Sequence, residues 1–176
     1  WSTTADGLTD LGVVPGTLDT VVFSATNAAF TSGTTIATTL DQAFAIDSLR
    51  FLNVPSGITT VTINSGTGGA ASTLTLAPQT ASNGIAIAAN GGAVTIGAPV
   101  IAAASQTWSV NGTGASSLTL TGDVTFNSGV TVTKTGAGVL TLSGTANSGT
   151  GITATAARIG LLTKSRMETP TMLRTE

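Results

Sequence analysis

Along most of the chain, apolar side chains alternate with Thr or Ser over four to six positions, and Gly, Asn or Pro separate the runs. A period of two is that of a strand with one face buried and the other wet. The clearest runs are Thr60 to Ile63, Thr73 to Leu76, Gly84 to Ala88, Val94 to Ile96, Thr107 to Val110, Leu118 to Thr121, Val130 to Thr133 and Leu140 to Leu142. No stretch between them carries a helical period. The linkers Asn64 to Gly69, Asn90 to Gly92, Asn111 to Gly114 and Thr135 to Gly138 supply the residues that tolerate the positive backbone dihedrals of tight turns.

The spacing of equivalent inward positions turns these strands into an architecture. From Leu49 through Val61, Leu74, Ile85, Val94, Trp108, Leu118, Val130, Leu140 and Ile152 the steps are 12, 13, 11, 9, 14, 10, 12, 10 and 12 residues. Such regularity over a hundred residues predicts a repetitive all-β solenoid or a sandwich. Sandwiches guard their edges with charge, yet residues 51 to 157 carry only Asp123 and Lys134. A solenoid protects its strands by stacking, so the expected fold is a β-solenoid. With strands about 4.8 Å apart and coils of roughly 20 to 25 residues, it would have about six coils and a length of roughly 30 Å. The expected organisation is a lead-in segment and N-terminal coil over 1–45, a β-helix body over 46–157, and a charged C-terminal tail over 158–176.

Composition narrows the function. Thr (36), Ala (25), Gly (22) and Ser (16) fill 99 of the 176 positions, and only 8% of residues are charged, against about 25% in an ordinary soluble domain. The net charge of −2 leaves no basic footprint for nucleic acid. With no Cys or His there is no disulfide framework, zinc site or thiol nucleophile. No apolar run approaches the 18 or so residues of a membrane-spanning helix. The start at Trp1, without an initiator Met or leader, is expected of a chain processed or cut from something longer.

Resemblance to a family enters at Thr133 to Gly144, T-K-T-G-A-G-V-L-T-L-S-G, followed by Thr145 to Thr153. A Lys-x-Gly-x-Gly turn leading into a Leu-Thr-Leu-Ser-Gly strand resembles the autotransporter-associated β-strand repeat of bacterial surface and secreted proteins. Trp1-Ser2-Thr3, Val14-Pro15-Gly16, Asp19 to Phe23 and Ile46 to Phe51 are similar to the start of such proteins, and Ser105 to Val110 to their Gln-Thr-Trp strand. Together these segments cover residues 1 to about 157. The resemblance implies a right-handed parallel β-helix on the bacterial exterior, a modular passenger without enzymatic residues of its own.

Candidate chemistry is sparse. A polysaccharide lyase on a β-helix needs clustered carboxylates or calcium ligands, whereas Asp6, Asp10, Asp19, Asp41, Asp47 and Asp123 are dispersed. Asp6, Asp10, Asp19 and Asp123 read as turn and capping residues. Gly136 and Gly138 imitate a phosphate loop, but no helix or Lys-Ser/Thr follows. Asn111-Gly112-Thr113 is a glycosylation sequon of the kind Thr-rich sequence produces often. No catalytic, cofactor-binding or metal-binding residue is expected, and no cofactor.

Two binding readings compete with simpler ones. Thr-x-Thr pairs at 60/62, 73/75, 119/121, 131/133 and 153/155 invite an ice-binding face, but such a face needs one register per coil and no pair falls between Thr75 and Thr119. Thr is then simply a β-branched residue suited to a half-exposed sheet. Trp1 and Trp108 could stack on a sugar, but Trp108 alternates in phase with Val110 and is expected in the core.

The tail, Arg158 to Glu176, holds six of the 14 charges, net +2, against −4 for residues 1–157. It reads as a frayed end, an end cap or a segment reaching into the next subunit. The expectation for function is a structural extracellular or cell-surface protein, a rod or filament subunit whose partner is a second copy stacked head to tail. The alternative is a passenger fragment of an autotransporter adhesin, with a surface glycan or host ligand unknown.

Overall fold

The computed structural model describes residues 12–23, 35–52, 60–66, 72–80, 83–89, 91–112, 116–149, 151–154 and 158–161. All its regular structure is β. The first side of the molecule stacks β1 (Thr20–Phe23), β4 (Ser48–Phe51), β7 (Asn83–Ile87), β10 (Gln106–Val110), β13 (Val132–Thr135) and β15 (Ile152–Ala154), in that order. The second side stacks β2 (Thr35–Leu40), β5 (Thr60–Ser65), β8 (Ala93–Ile96), β11 (Ser117–Leu120), β14 (Val139–Leu142) and β16 (Arg158–Leu161). The third stacks β3 (Phe44–Ile46), β6 (Leu74–Leu76), β9 (Val100–Ala102) and β12 (Val124–Phe126), extended by a parallel bridge from Thr125 to Ser148.

Every strand pairs in parallel with the strand one turn away. The chain therefore winds around three sides and returns one strand spacing along an axis, which is a β-solenoid. Four turns have all three strands, rather than the six coils expected; the two further levels carry strands on the first and second sides alone. Six levels make five intervals of about 4.8 Å, so the rod is about 24 Å long.

The strands form where the sequence alternates, because one face of each is sealed. On the second side Val61, Val94, Leu118 and Leu140 stack in register, as do Ile63, Ile96, Leu120 and Leu142, and all are buried. Leu74, Val100 and Val124 form a similar column on the third side. One continuous core runs from Val21 to Ile152. Like-on-like stacking lets each apolar side chain meet neighbours above and below, so a thin cross-section still excludes water.

Two expectations are corrected. Val130 is only half-buried and precedes β13, so Val132 takes the inward position assigned to it. The steps from Val94 to Trp108 and from Leu118 to Val130 each pass over a whole strand, β9 and β12. β9 places the apolar Ile101 outward, so no alternation of apolar and polar residues marks it in the sequence.

Sharp corners need room between backbones. A Cβ on Gly122 would land on the Ala98 carbonyl one turn away, and one on Gly151 on the Val130 carbonyl. These positions admit no side chain without moving the coil.

Candidate functional sites: turn carboxylates, polar core and rod ends

Three of the four described carboxylates, those of Asp19, Asp47 and Asp123 but not Asp41, are used by turns. Asp19 Oδ2 accepts from the Gly16 amide at 2.7 Å, Asp47 Oδ1 from the Gln79 amide at 2.9 Å, and Asp123 Oδ1 from the Ala146 amide at 2.8 Å. The last two tie one coil to the next. Among the described residues no three acids, histidines or cysteines gather as metal ligands. Asp6, Asp10, Trp1 and residues 162–176 lie outside the described residues.

The core, by contrast, holds polar chemistry on the first side. Trp108 is fully buried, as its alternation predicts, and its ring lies 6.1 Å from that of Phe126. Its indole Nε1 donates to Gln106 Oε1 at 2.9 Å, and Gln106 Nε2 donates to the carbonyls of Leu76 at 3.2 Å and Ala104 at 2.9 Å. The amide fits because position 84 has no side chain; a Cβ there would collide with Gln106 Oε1. Each polar atom of the Gln106–Trp108 pair thus has a partner, the condition on which buried polar groups are tolerated.

Lys134, one of the two charges that residues 51 to 157 carry, is fully buried, paired in register with Trp108 on one side and Ala154 on the other. Its Nζ donates to the carbonyls of Thr135 at 2.8 Å and Gly136 at 2.7 Å. The turn folds back over the amine because Gly136 has a φ of 78°, a left-handed conformation that favours glycine. Phase was the available signal: Lys134 follows Val132 by two residues and so must share its face.

Burial lowers the Lys134 pKa from its ordinary value of 10.5. Between the lowered value and 10.5 the unfolded chain binds a proton that the folded chain has released. Stability therefore rises with pH across that window, because the desolvation penalty on the cation is removed as the amine becomes neutral. A neutral amine keeps two N–H donors, enough for the Thr135 and Gly136 carbonyls. The urea midpoint is expected to increase as pH approaches 10.5, and Lys134→Met is expected to flatten that increase. A midpoint that falls equally in both proteins over that range would contradict it.

The ends of the rod form the third candidate. β1, β2 and β3 each terminate their sheet at one end, and β15, β16 and β12 at the other. β16 begins at Arg158, so the solenoid continues into the first residues of the charged tail. Inside the first turn lies a cavity of about 60 Å³ with a mostly apolar lining that includes Val21, Phe23, Leu40, Phe44 and Ile63. Phe23 stacks on Phe51 with ring centroids 5.0 Å apart. The exposed large apolar side chains among the described residues, Val13, Val14, Leu18, Val22 and Leu52, all lie in the segment before β1, in β1 or immediately after β4.

These features define a class, a three-sided parallel β-solenoid with a sealed apolar core and its turn carboxylates committed to backbone amides. Comparison with protein families, curated proteins and solved structures finds no match to the chain. Among the described residues no helix is long and apolar enough to cross a membrane.

Proposed function

We propose that the chain is a structural element of a bacterial surface or secreted protein, akin to the autotransporter-associated β-strand repeat proteins it resembles, and that copies stack end to end into rods or filaments. The observation that carries this reading is the geometry of the ends. All strands are parallel, so the first turn of one copy can extend the sheets beyond the last turn of another in the same sense. Edge strands offer unpaired backbone groups to such an addition, and a head-to-tail contact of unlike faces propagates without closing. Exposed apolar side chains concentrated near the first turn, with three aspartates (Asp19, Asp41 and Asp47) and Arg50 around it, favour contact with the net positive C-terminal segment.

The test is electron microscopy and sedimentation of the purified chain over a range of concentration. Filaments are expected to persist in 1 M salt, where the screening length is about 3 Å, because backbone pairing rather than surface ion pairs holds the contact. Val14→Glu with Leu18→Glu is expected to shorten or abolish them. Truncation after Leu161, which spares β16, is expected to change the rate of assembly in either direction. A chain that stays monomeric at high concentration and low salt overturns self-association and leaves the passenger reading in its place.

A further inference from the structure

The outward face of the second side carries a two-dimensional array that the sequence hides. Thr62, Thr95, Thr119 and Thr141 are consecutive partners in register across β5, β8, β11 and β14. Two residues earlier in each strand, Thr60, Ala93, Ser117 and Val139 form a second column, also in register. In sequence, Thr95 and Thr141 belong to no Thr-x-Thr pair, because Ala93 and Val139 fill the other positions; only the pairing shows that a single row keeps one register per turn.

We propose that this face binds ice. Its repeats are about 4.8 Å between strands and about 6.6 Å between alternate residues along a strand, similar in scale to the repeats of water oxygens on a prism face of ice. The pairing from β2 to β14 runs without a register shift, whereas the first side has one between Thr107 and Trp108. Threonine is β-branched and stiff about χ1, so hydroxyls and methyls are held on a grid rather than waving in solvent. All eight positions are half-buried, which makes the face even. None of the four threonine hydroxyls in the row is engaged by another described residue.

The ligand class follows from what the face lacks. It has no charge across its four strands, matching a neutral lattice and offering nothing to an ionic partner. Protein interfaces concentrate aromatic residues, Met and Arg at their centre, and sugar rings stack on aromatic faces; the array has none of these. A grid of hydroxyls and methyls instead orders first-shell water in a repeating pattern, and that ordered layer merges with ice.

The test is ice shaping and thermal hysteresis of the intact chain in a nanolitre osmometer. Faceted crystals and a measurable hysteresis gap are expected. Thr95→Lys and Thr119→Lys, each with an unchanged circular dichroism spectrum, are expected to reduce the gap several-fold. Thr75→Lys, on the outward face of the third side, is expected to leave it unchanged. Round, unshaped crystals from the folded wild-type chain overturn the proposal, as does an equal loss from Thr75→Lys. A change in sedimentation with Thr95→Lys in a protein without hysteresis overturns it in favour of lateral contact between copies.

Discussion

Trp108→Ala is expected to destabilise the rod by about 3 to 5 kcal/mol, the range for deleting a buried aromatic side chain. The residue is fully buried and sits mid-stack, with Ile85 and Lys134 as its partners above and below. A solenoid transmits the damage only to adjacent turns, but here those are the central ones. The loss also removes the donor to Gln106 Oε1, and an unpaired buried acceptor costs about 1 to 3 kcal/mol more unless water enters the cavity. Set against a total stability of about 5 to 15 kcal/mol for a typical domain, the substitution approaches unfolding. Trp108→Phe narrows the comparison, since it keeps a buried aromatic ring while removing the N–H donor together with the five-membered part of the indole. The check is urea denaturation followed by circular dichroism; a midpoint within error of wild type would show that the ring is not part of the core.

Gly136→Ala should rank next, at about 2 to 5 kcal/mol. About 1 to 2 of this is the penalty on an L-residue with a side chain at a left-handed φ, and the φ here is 78°. The remainder is steric, because the new Cβ would land on the Val110 carbonyl oxygen of the turn above, and overpacking of this kind costs about 1 to 3 kcal/mol. The consequence reaches Lys134, whose ammonium donates to the Gly136 carbonyl. Moving that carbonyl leaves a buried cation with a weaker partner. Gly136→Ala combined with Lys134→Met should therefore be less damaging than the sum of the two single changes, and a double-mutant cycle measures the coupling. Strict additivity would mean that the turn and the amine are independent.

Much of this architecture was legible in the chain itself. Alternation with Val110 placed Trp108 inside, and the steady spacing of Leu49, Val61, Leu74 and Ile85 traced one full circuit of the coil. Both follow from a local rule, that side chains two residues apart share a face of a strand. The turn duty of Asp19 was legible because its contact with Gly16 is local; the partner of Asp123, Ala146, lies one turn further on. β9 was not legible, because its outward Ile101 breaks the alternation of apolar and polar positions.

What only the tertiary structure decided concerns residues that meet one turn apart. The phase of Lys134 pointed inward, but its charge argued for the surface; what settled the conflict was the cradle of carbonyls made by its own turn. Gln106 looked like an ordinary polar residue until position 84, one turn back, was found to leave room for its amide. Thr95 stood alone in sequence and became one rung of four, because its neighbours lie 33 residues before and 24 after it in the chain. The sequence by itself determined that each segment is a strand and which of its faces is dry, since that depends on residues two apart. It could not determine which strand lies above which, because turns of unequal length shift the pairing, and the register across those turns exists only once the coil is wound.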